Sequence, residues 1–314
     1  MQIEKSLANM QASGDPFELG CHLFVLGIAE LFHAYRMEKA EPMLMESCQY
    51  FQRVDDPSTQ VMFFMTLGYV LLVQGRFEEV YALKQRELAV YQDLGDRRMS
   101  GIAHAELGEI LCHLGKYPEA EEQIRTGLAF LQGRSEMQFA LRQRYLGDVL
   151  LAQGKNAEAR DAYQFSYNFF QSVDEKMWML TALTGLSRAE RSLGNRSAAW
   201  EHAWQALQIY ADIGLYTFFA YLTVAQIALL LSDRGEIAQT LELYGLVTRQ
   251  GYLAQSRWFA DLFGQPIEAA AARLPPKEQA AAKAGGQMLD FLGATEKLLA
   301  IIKHTDSTFA TGYT

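Results

Sequence analysis

Two short motifs recur together along this chain about every forty residues. In each copy a leucine precedes a small residue, and a glycine follows eight positions after the leucine, as in Leu67–Gly68 with Gly75. The next turn glycines are Gly115, Gly154 and Gly194, so the copies are 40, 39 and 40 residues apart. A degenerate copy has its glycine at position 235. A fixed period in this range predicts a solenoid of stacked repeats.

Each repeat is predicted to be a helical hairpin. Apolar residues recur with helical spacing before Gly115, and glycine suits the left-handed residue that ends a helix. Pro118 and Glu119 then suit the first turn of a second helix. Small residues at matching positions predict a close approach of the two helices in three hairpins: Gly108 with Ala120, Gly147 with Ala159, and Ser187 with Ala199.

Composition and charge exclude several functional classes. The net charge is −9, whereas a nucleic-acid surface needs clustered basic residues, so no direct nucleic-acid partner is expected. The short basic pairs Arg97–Arg98 and Arg142 with Arg144 are predicted to be solvated. No apolar run reaches the roughly 20 residues that cross a bilayer, and no signal-peptide pattern opens the chain. The 3 cysteines are expected to be reduced and buried, which predicts a cytoplasmic protein.

No motif for catalysis or cofactor binding occurs in the sequence. A phosphate-binding loop, a dinucleotide fingerprint and a nucleophile elbow are all missing. None of the 6 histidines stands at a metal-ligand spacing from another histidine or cysteine. The sequence therefore predicts a binding protein without metal or cofactor, and not an enzyme.

The repeat resembles the tetratricopeptide repeat. The residues that carry the resemblance are the Leu107–Gly108 pair and the run Gly115-Lys116-Tyr117-Pro118-Glu119-Ala120, with equivalents in about six units over residues 20–250. These units are longer than the family's usual repeat. The resemblance implies an all-α, right-handed superhelical solenoid of about six helical hairpins, closed by C-terminal capping helices.

The C-terminal segment resembles the end of STAND-class ATP-binding regulators of the LuxR and maltose-activator type. The matching residues are Leu243-Tyr244-Gly245 and the run 281–286, although Leu246-Val247-Thr248 replaces the family's small residues and glutamate. The resemblance implies that this chain is the sensor arm of such a regulator, with its own nucleotide-binding module as a partner. The predicted domains are an N-terminal cap at 1–17, the repeats at 18–250, capping helices at 251–304 and a disordered tail at 305–314.

The resemblance also implies candidate ligand-binding residues. The family's groove positions, carried onto the clear leucine–small anchors, place six of them on a concave surface: Tyr69, Glu109, Arg144, Asp148, Arg188 and Arg191. The three arginines could bind an acidic ligand such as a peptide carboxylate. Alternatively, they could form internal ion pairs, because Arg144 and Asp148 are four residues apart on one helix.

Three functional hypotheses remain open from the sequence. The first is a protein-, peptide- or ligand-binding sensor domain of a STAND-type signalling or transcription regulator. The second is a stand-alone receptor for a short signalling peptide. The third is an adaptor that binds no small ligand.

Overall fold

The computed structural model describes residues 14–32, 37–213, 218–289, 291, 293–295 and 298. Most of the cap predicted at 1–17 lies outside these residues. The predicted tail at 305–314 and the last part of the capping helices predicted at 251–304 lie outside them too.

In the residues that the structure describes, twelve helices form the repeat region, and the all-α repeat fold predicted from the sequence is confirmed. They alternate as first and second helices of hairpins, and no strand occurs in the ranges just given. The helices are α1 Pro16–Phe32, α2 Met37–Phe51, α3 Pro57–Val73, α4 Phe77–Asp93, α5 Arg97–His113, α6 Tyr117–Leu131, α7 Glu136–Ala152, α8 Asn156–Ser172, α9 Lys176–Ser192, α10 Arg196–Ile213, α11 Phe218–Asp233 and α12 Ile237–Val247.

The turns within the hairpins have the left-handed glycines that the repeat predicted. Gly115 has a φ of 77°, and its amide bonds back to the Cys112 carbonyl at 2.9 Å. The equivalent glycines, at φ between 74° and 85°, are Gly75, Gly154, Gly194 and Gly235. Because only glycine adopts this φ without strain, the repeated glycines fix where each first helix ends.

Small residues bring the two helices of a hairpin together, as expected. A Cβ added at Gly108 would stand 2.7 Å from the Ala120 carbonyl oxygen, so α5 and α6 touch backbone to backbone. In the α9–α10 hairpin the Ser187 hydroxyl donates to the Ala199 carbonyl at 2.7 Å. Gly147 differs, because the group it faces most closely is the ring of Tyr163 and not Ala159.

The repeat rhythm ends after α12. The next elements are α13 Gly251–Ala254, α14 Arg257–Phe259, a π-helical turn Ala260–Gly264, α15 Gln265–Ala271 and α16 Pro276–Met288. Helix α16 crosses α12 at the residues that carried the C-terminal resemblance. A Cβ added at Gly286 would overlap the Glu242 carbonyl oxygen, and one added at Gly245 would stand 2.5 Å from that of Lys283.

The chain divides into two compact units at the boundary between Phe139 and Ala140, in the first turn of α7. The first unit contains α1–α6 and the start of α7, and the second contains the rest of α7 and the helices that follow, except Phe218, which is assigned to the first unit. Within the described part of the chain, no helix combines the length and apolarity needed to span a membrane.

Candidate functional site

A buried polar cluster lies in the second unit around the Asp148 carboxylate. Asp148 Oδ2 accepts a hydrogen bond from Arg144 Nη1 at 2.9 Å, and Oδ1 accepts one from the Tyr163 hydroxyl at 2.6 Å. Arg188 Nη2 donates to the same Oδ1 and also lies 3.2 Å from the Tyr163 hydroxyl oxygen. A single carboxylate is therefore shared between two guanidinium groups and a phenol.

Aromatic rings surround the Arg188 guanidinium. Its central carbon lies 5.1 Å from the ring centroid of Trp258, 5.7 Å from that of Tyr163 and 5.8 Å from that of Phe263. Arg188 is only 4% exposed, so these cation–π contacts act in a largely desolvated environment, where they are strongest. We call Arg144, Asp148, Tyr163, Arg188, Trp258 and Phe263 the Arg188 centre.

Two of the Arg188 donor atoms have no acceptor. Nε and Nη1 are buried and make no hydrogen bond with any residue that the structure describes. A buried donor on a charged group that lacks an acceptor costs free energy, of the order of 1–3 kcal/mol. The Arg188 centre therefore has unused capacity to bind an acceptor.

The charge states in the centre follow from its contacts. Burial alone would lower the pKa of Arg188, but Tyr163 and Asp148 outweigh it and the pKa lies above its ordinary value. Burial and the Asp148 carboxylate raise the pKa of Tyr163 well above that of an exposed tyrosine. Arg188 is thus a permanent cation, and Tyr163 remains a protonated donor at neutral pH.

The repeat explains how these side chains meet. Asp148 and Arg188 are 40 residues apart on α7 and α9, the first helices of adjacent hairpins, so they occupy equivalent positions. Tyr163 reaches them from α8, and Gly147 and Gly185 leave space for its ring, since a Cβ at either position would lie within 2.6 Å of a ring carbon. Trp258 arrives from α14 and donates its Nε1 proton to the Asp148 backbone carbonyl at 3.2 Å.

The structure places the predicted site residues in three different settings. Arg144, Asp148 and Arg188 are brought together, but all three are at most 9% exposed and do not line an open surface. Arg191 is directed elsewhere, to a two-bond ion pair with Asp233 of α11 at 2.7 and 2.8 Å.

Tyr69 and Glu109 lie in the first unit and are described separately. The ring of Tyr69 packs against the cluster of Leu31, Ala40 and Val73, at 6.2 Å from that of Phe24. Glu109 is half-buried on α5. The binding role of all six residues remains a prediction.

The solvated setting predicted for Arg142 and Arg144 is wrong. They are 3% and 4% exposed, and the Tyr145 ring lies beneath both, with its centroid 5.5 and 4.4 Å from their guanidinium carbons. Arg97 and Arg98 are exposed as predicted. The basic pairs look alike in the sequence, but only the first helix of the α7 hairpin carries its pair inward. Of the cysteines, Cys48 and Cys112 are buried, Cys21 is half-exposed, and all are free.

A second buried charge cluster, in the first unit, was not anticipated from the sequence. Lys84 Nζ lies 2.8 Å from a carboxylate oxygen of Glu87 and 2.8 Å from one of Glu106. Burial raises the pKa of Glu87 and repulsion from Glu106 adds to this, although Lys84 opposes it. Glu87 and Lys84 are three residues apart on α4, a spacing that by itself suggests only a surface pair. Among the described residues no group of histidine, cysteine or carboxylate side chains could hold a metal ion.

The sequence is similar to known proteins in part of its length. The family model of the tetratricopeptide repeat-like domain matches residues 78–179. The regulatory protein AfsR of Streptomyces coelicolor is 31% identical over 121 residues, which are 38% of this chain and 12% of AfsR. The chain thus spans about an eighth of the length of this relative.

Solved structures share the fold. A STAND protein with a tetratricopeptide repeat sensor from Pyrococcus horikoshii has a TM-score of 0.52 at 15% identity, with 82% of this chain and 39% of that one covered. NprR, solved with its cognate peptide NprX, has a TM-score of 0.61 at 12% identity, with 97% and 94% covered. The resemblance to tetratricopeptide repeats is confirmed, and the fold is one that a STAND sensor also has.

Proposed function

We propose that this chain is a cytoplasmic, non-enzymatic sensor module of a STAND-type regulator, and that an acidic group of a protein or peptide ligand binds at the Arg188 centre. The observation that carries the proposal is the buried Arg188 guanidinium, whose Nε and Nη1 have no acceptor. An acidic group can supply the missing acceptors, because the N–H groups of Nε and Nη1 can each donate a charge-assisted hydrogen bond to a carboxylate oxygen. The similarity to the AfsR regulator supports the same proposal.

Burial of the centre connects ligand binding to a change of conformation. Because Arg188 is 4% exposed, a ligand can reach it only after a local opening of the second unit. A ligand shifts such an equilibrium by no more than the difference between its affinities for the two states. In the proposed regulator, the resulting change of conformation signals to the nucleotide-binding module that the ligand is bound.

Native mass spectrometry of wild-type protein and two variants tests the proposal. We expect a co-purified mass, released on denaturation, in wild type and in the control Arg191→Gln but not in Arg188→Gln. Arg191 is on the same helix, yet its charge is already paired with Asp233. Circular dichroism must show that all three proteins keep the same helix content.

Two outcomes contradict the proposal. One is a co-purified ligand that Arg188→Gln retains, since the ligand would then bind elsewhere. The other is a wild-type protein that carries no ligand and binds no member of a pool of acidic hexapeptides. That result favours an adaptor that binds folded proteins.

A stand-alone receptor for a short signalling peptide is the second candidate function. The likeness to NprR, solved with its cognate peptide, favours it because nearly the full length of both chains is covered. Both candidates predict a bound peptide. Binding of this chain to a purified nucleotide-binding module from the same genome would distinguish them, because only the sensor module requires it.

A further inference from the structure

A second candidate site is a cavity of about 270 Å³ near the C-terminal end of the second unit. It shares no lining residue with the Arg188 centre. Buried residues form its floor, among them Leu253 of α13 and Phe259 of α14. Ala254 and Gln287 also line it and are exposed, so the cavity opens to solvent on their side.

Two aromatic rings form part of the cavity wall. The rings of Tyr244 and Phe259 both line it, and their planes are parallel within 2°, with centroids 6.2 Å apart. Ala260 completes this wall, where the helix widens into the π-turn Ala260–Gly264. Such turns accompany functional sites more often than their rarity would suggest. Flat aromatic walls favour a planar or compact apolar ligand.

Polar donors are concentrated at one side of the cavity. Lys283 and Gln287 are four residues apart on α16, so both side chains lie on the same face of that helix. Neither side chain makes a hydrogen bond or an ion pair with another residue in the described ranges. Lys283 is the one residue with a permanent charge in the described lining of the cavity.

The Tyr244 hydroxyl is a third donor. Burial raises the pKa of Tyr244 and so does the exposed Glu268 carboxylate of α15, which keeps the phenol protonated. Glu268 is the negative group that acts on this wall, so a ligand carboxylate is favoured on the Lys283 side of the cavity and not beside Tyr244.

The cavity is built by a helix crossing that leaves little freedom. Gly245 and Gly286 hold α12 and α16 in backbone contact beside it, because any Cβ there would clash with a carbonyl oxygen. The backbone positions of Lys283 and Tyr244 relative to each other are therefore fixed by this crossing. A site that is formed in advance binds without the cost of ordering its walls.

We propose that this cavity binds a small monocarboxylic acid with a flat apolar body. The carboxylate would accept hydrogen bonds from Lys283 and Gln287, and the body would lie against Tyr244 and Phe259. The volume equals that of about nine water molecules, which limits the ligand to about ten non-hydrogen atoms. This site is independent of the function proposed for the Arg188 centre, and either can fail without the other.

Isothermal titration calorimetry with phenylacetate tests the proposal, because this acid has about the expected size. Phenylacetamide has the same shape without the charge, and we expect it to bind at least about tenfold more weakly, as one lost charge-assisted hydrogen bond requires. Lys283→Met should weaken phenylacetate binding by a similar factor. Lys277→Met is the matched control, since Lys277 is exposed on the same helix and does not line the cavity.

An occluding variant makes the test independent of charge. Ala254 is exposed at the mouth of the cavity, so Ala254→Phe should fold normally and abolish binding of phenylacetate. The proposal is overturned if wild type binds no phenylacetate up to millimolar concentration. It is also overturned if acetate binds as tightly as phenylacetate, or if Lys277→Met weakens binding as much as Lys283→Met.

Discussion

Asp148 is the residue on which the polar contacts of the Arg188 centre depend. Its carboxylate compensates Arg144 and Arg188, and both arginines are at least nine-tenths buried. Asp148→Asn removes the carboxylate that these two buried cations share, and we expect it to destabilise the second unit by about 3–5 kcal/mol. Urea-induced unfolding followed by tryptophan fluorescence measures the change.

Asp233→Asn is the matched control for this prediction. It removes the partner of Arg191, whose side chain is 23% exposed and can be rehydrated. We expect a loss of less than about 1 kcal/mol, as for other solvent-accessible pairs. Equal losses in the two variants would mean that burial of the Arg188 centre does not determine its energetics.

Glu87 gives the first unit a dependence on pH. Because its pKa is raised in the folded protein, the folded state holds this proton more tightly than the unfolded chain does. Its contribution to stability is therefore complete below the ordinary value of 4.5 and is lost as the pH rises through the raised pKa.

The uncharged variant Glu87→Gln should not lose stability over this range. We expect its melting temperature, relative to wild type, to increase as the pH is raised from 4.5 to neutrality. Lys84 keeps Glu106 as a partner in this variant. Thermal unfolding of both proteins at several pH values checks the prediction, and a constant difference across the pH range would contradict it.

At the scale of the elements, the same glycine position of the repeat has different surroundings in different hairpins. A Cβ at Gly147 would stand 2.6 Å from the ring of the fully buried Tyr163, whereas a Cβ at Gly68 would meet nothing within 4 Å. Gly147→Ala should cost about 1–3 kcal/mol through overpacking, which exceeds the helix propensity that alanine gains.

Gly68→Ala should have the opposite sign. Alanine stabilises a helix interior by roughly 0.5–1 kcal/mol relative to glycine, and no steric penalty opposes it here. Denaturant unfolding of the two variants provides the comparison. If both are destabilised, the close approach at Gly147 is not the cause of the loss.

The elements were predictable from the sequence to the extent that they are local. The φ of Gly115 and the start of α6 at Tyr117, with Pro118 in its first turn, follow from turn chemistry within a few residues. The Arg144–Asp148 pair was foreseen as an i,i+4 contact for the same reason. The burial of both residues was not, because the aromatic groups near them are distant in the sequence: the Phe219 ring lies by Arg144, and Trp258, 110 residues from Asp148, donates to its backbone. Contacts between residues so far apart in the sequence produce no periodic pattern from which they could be predicted.

For the whole molecule, the repeat architecture predicts that a destabilising substitution affects mainly its own hairpin and the neighbouring ones. Repeats in a solenoid contact mainly their neighbours, so a destabilised hairpin need not unfold distant ones. We expect Asp148→Asn to accelerate hydrogen exchange in α7–α9 and in residues 257–264, with α2–α4 unchanged. Mass spectrometry of peptic fragments measures the hydrogen-exchange rate of each of these segments. Faster exchange throughout the chain would show instead that the two compact units unfold as one.

The period of the motif was sufficient to predict the class of fold, but not the place where the chain divides into two compact units. The boundary between the units falls inside α7, a helix that belongs to one of the best-defined repeats. Nothing in the motif marks this place, because Leu146 and Gly147 match their counterparts in the other units.

The hydrogen bond from Trp258 to the backbone of Asp148 limits how this protein can be recombined. Repeat proteins are usually shortened, extended or exchanged one hairpin at a time. A chimera in which other hairpins replace α7–α9 would keep Trp258 and Phe263, whose rings pack against Arg188 of the original α9. Such an exchange must therefore include residues 257–264, although they lie outside every repeat.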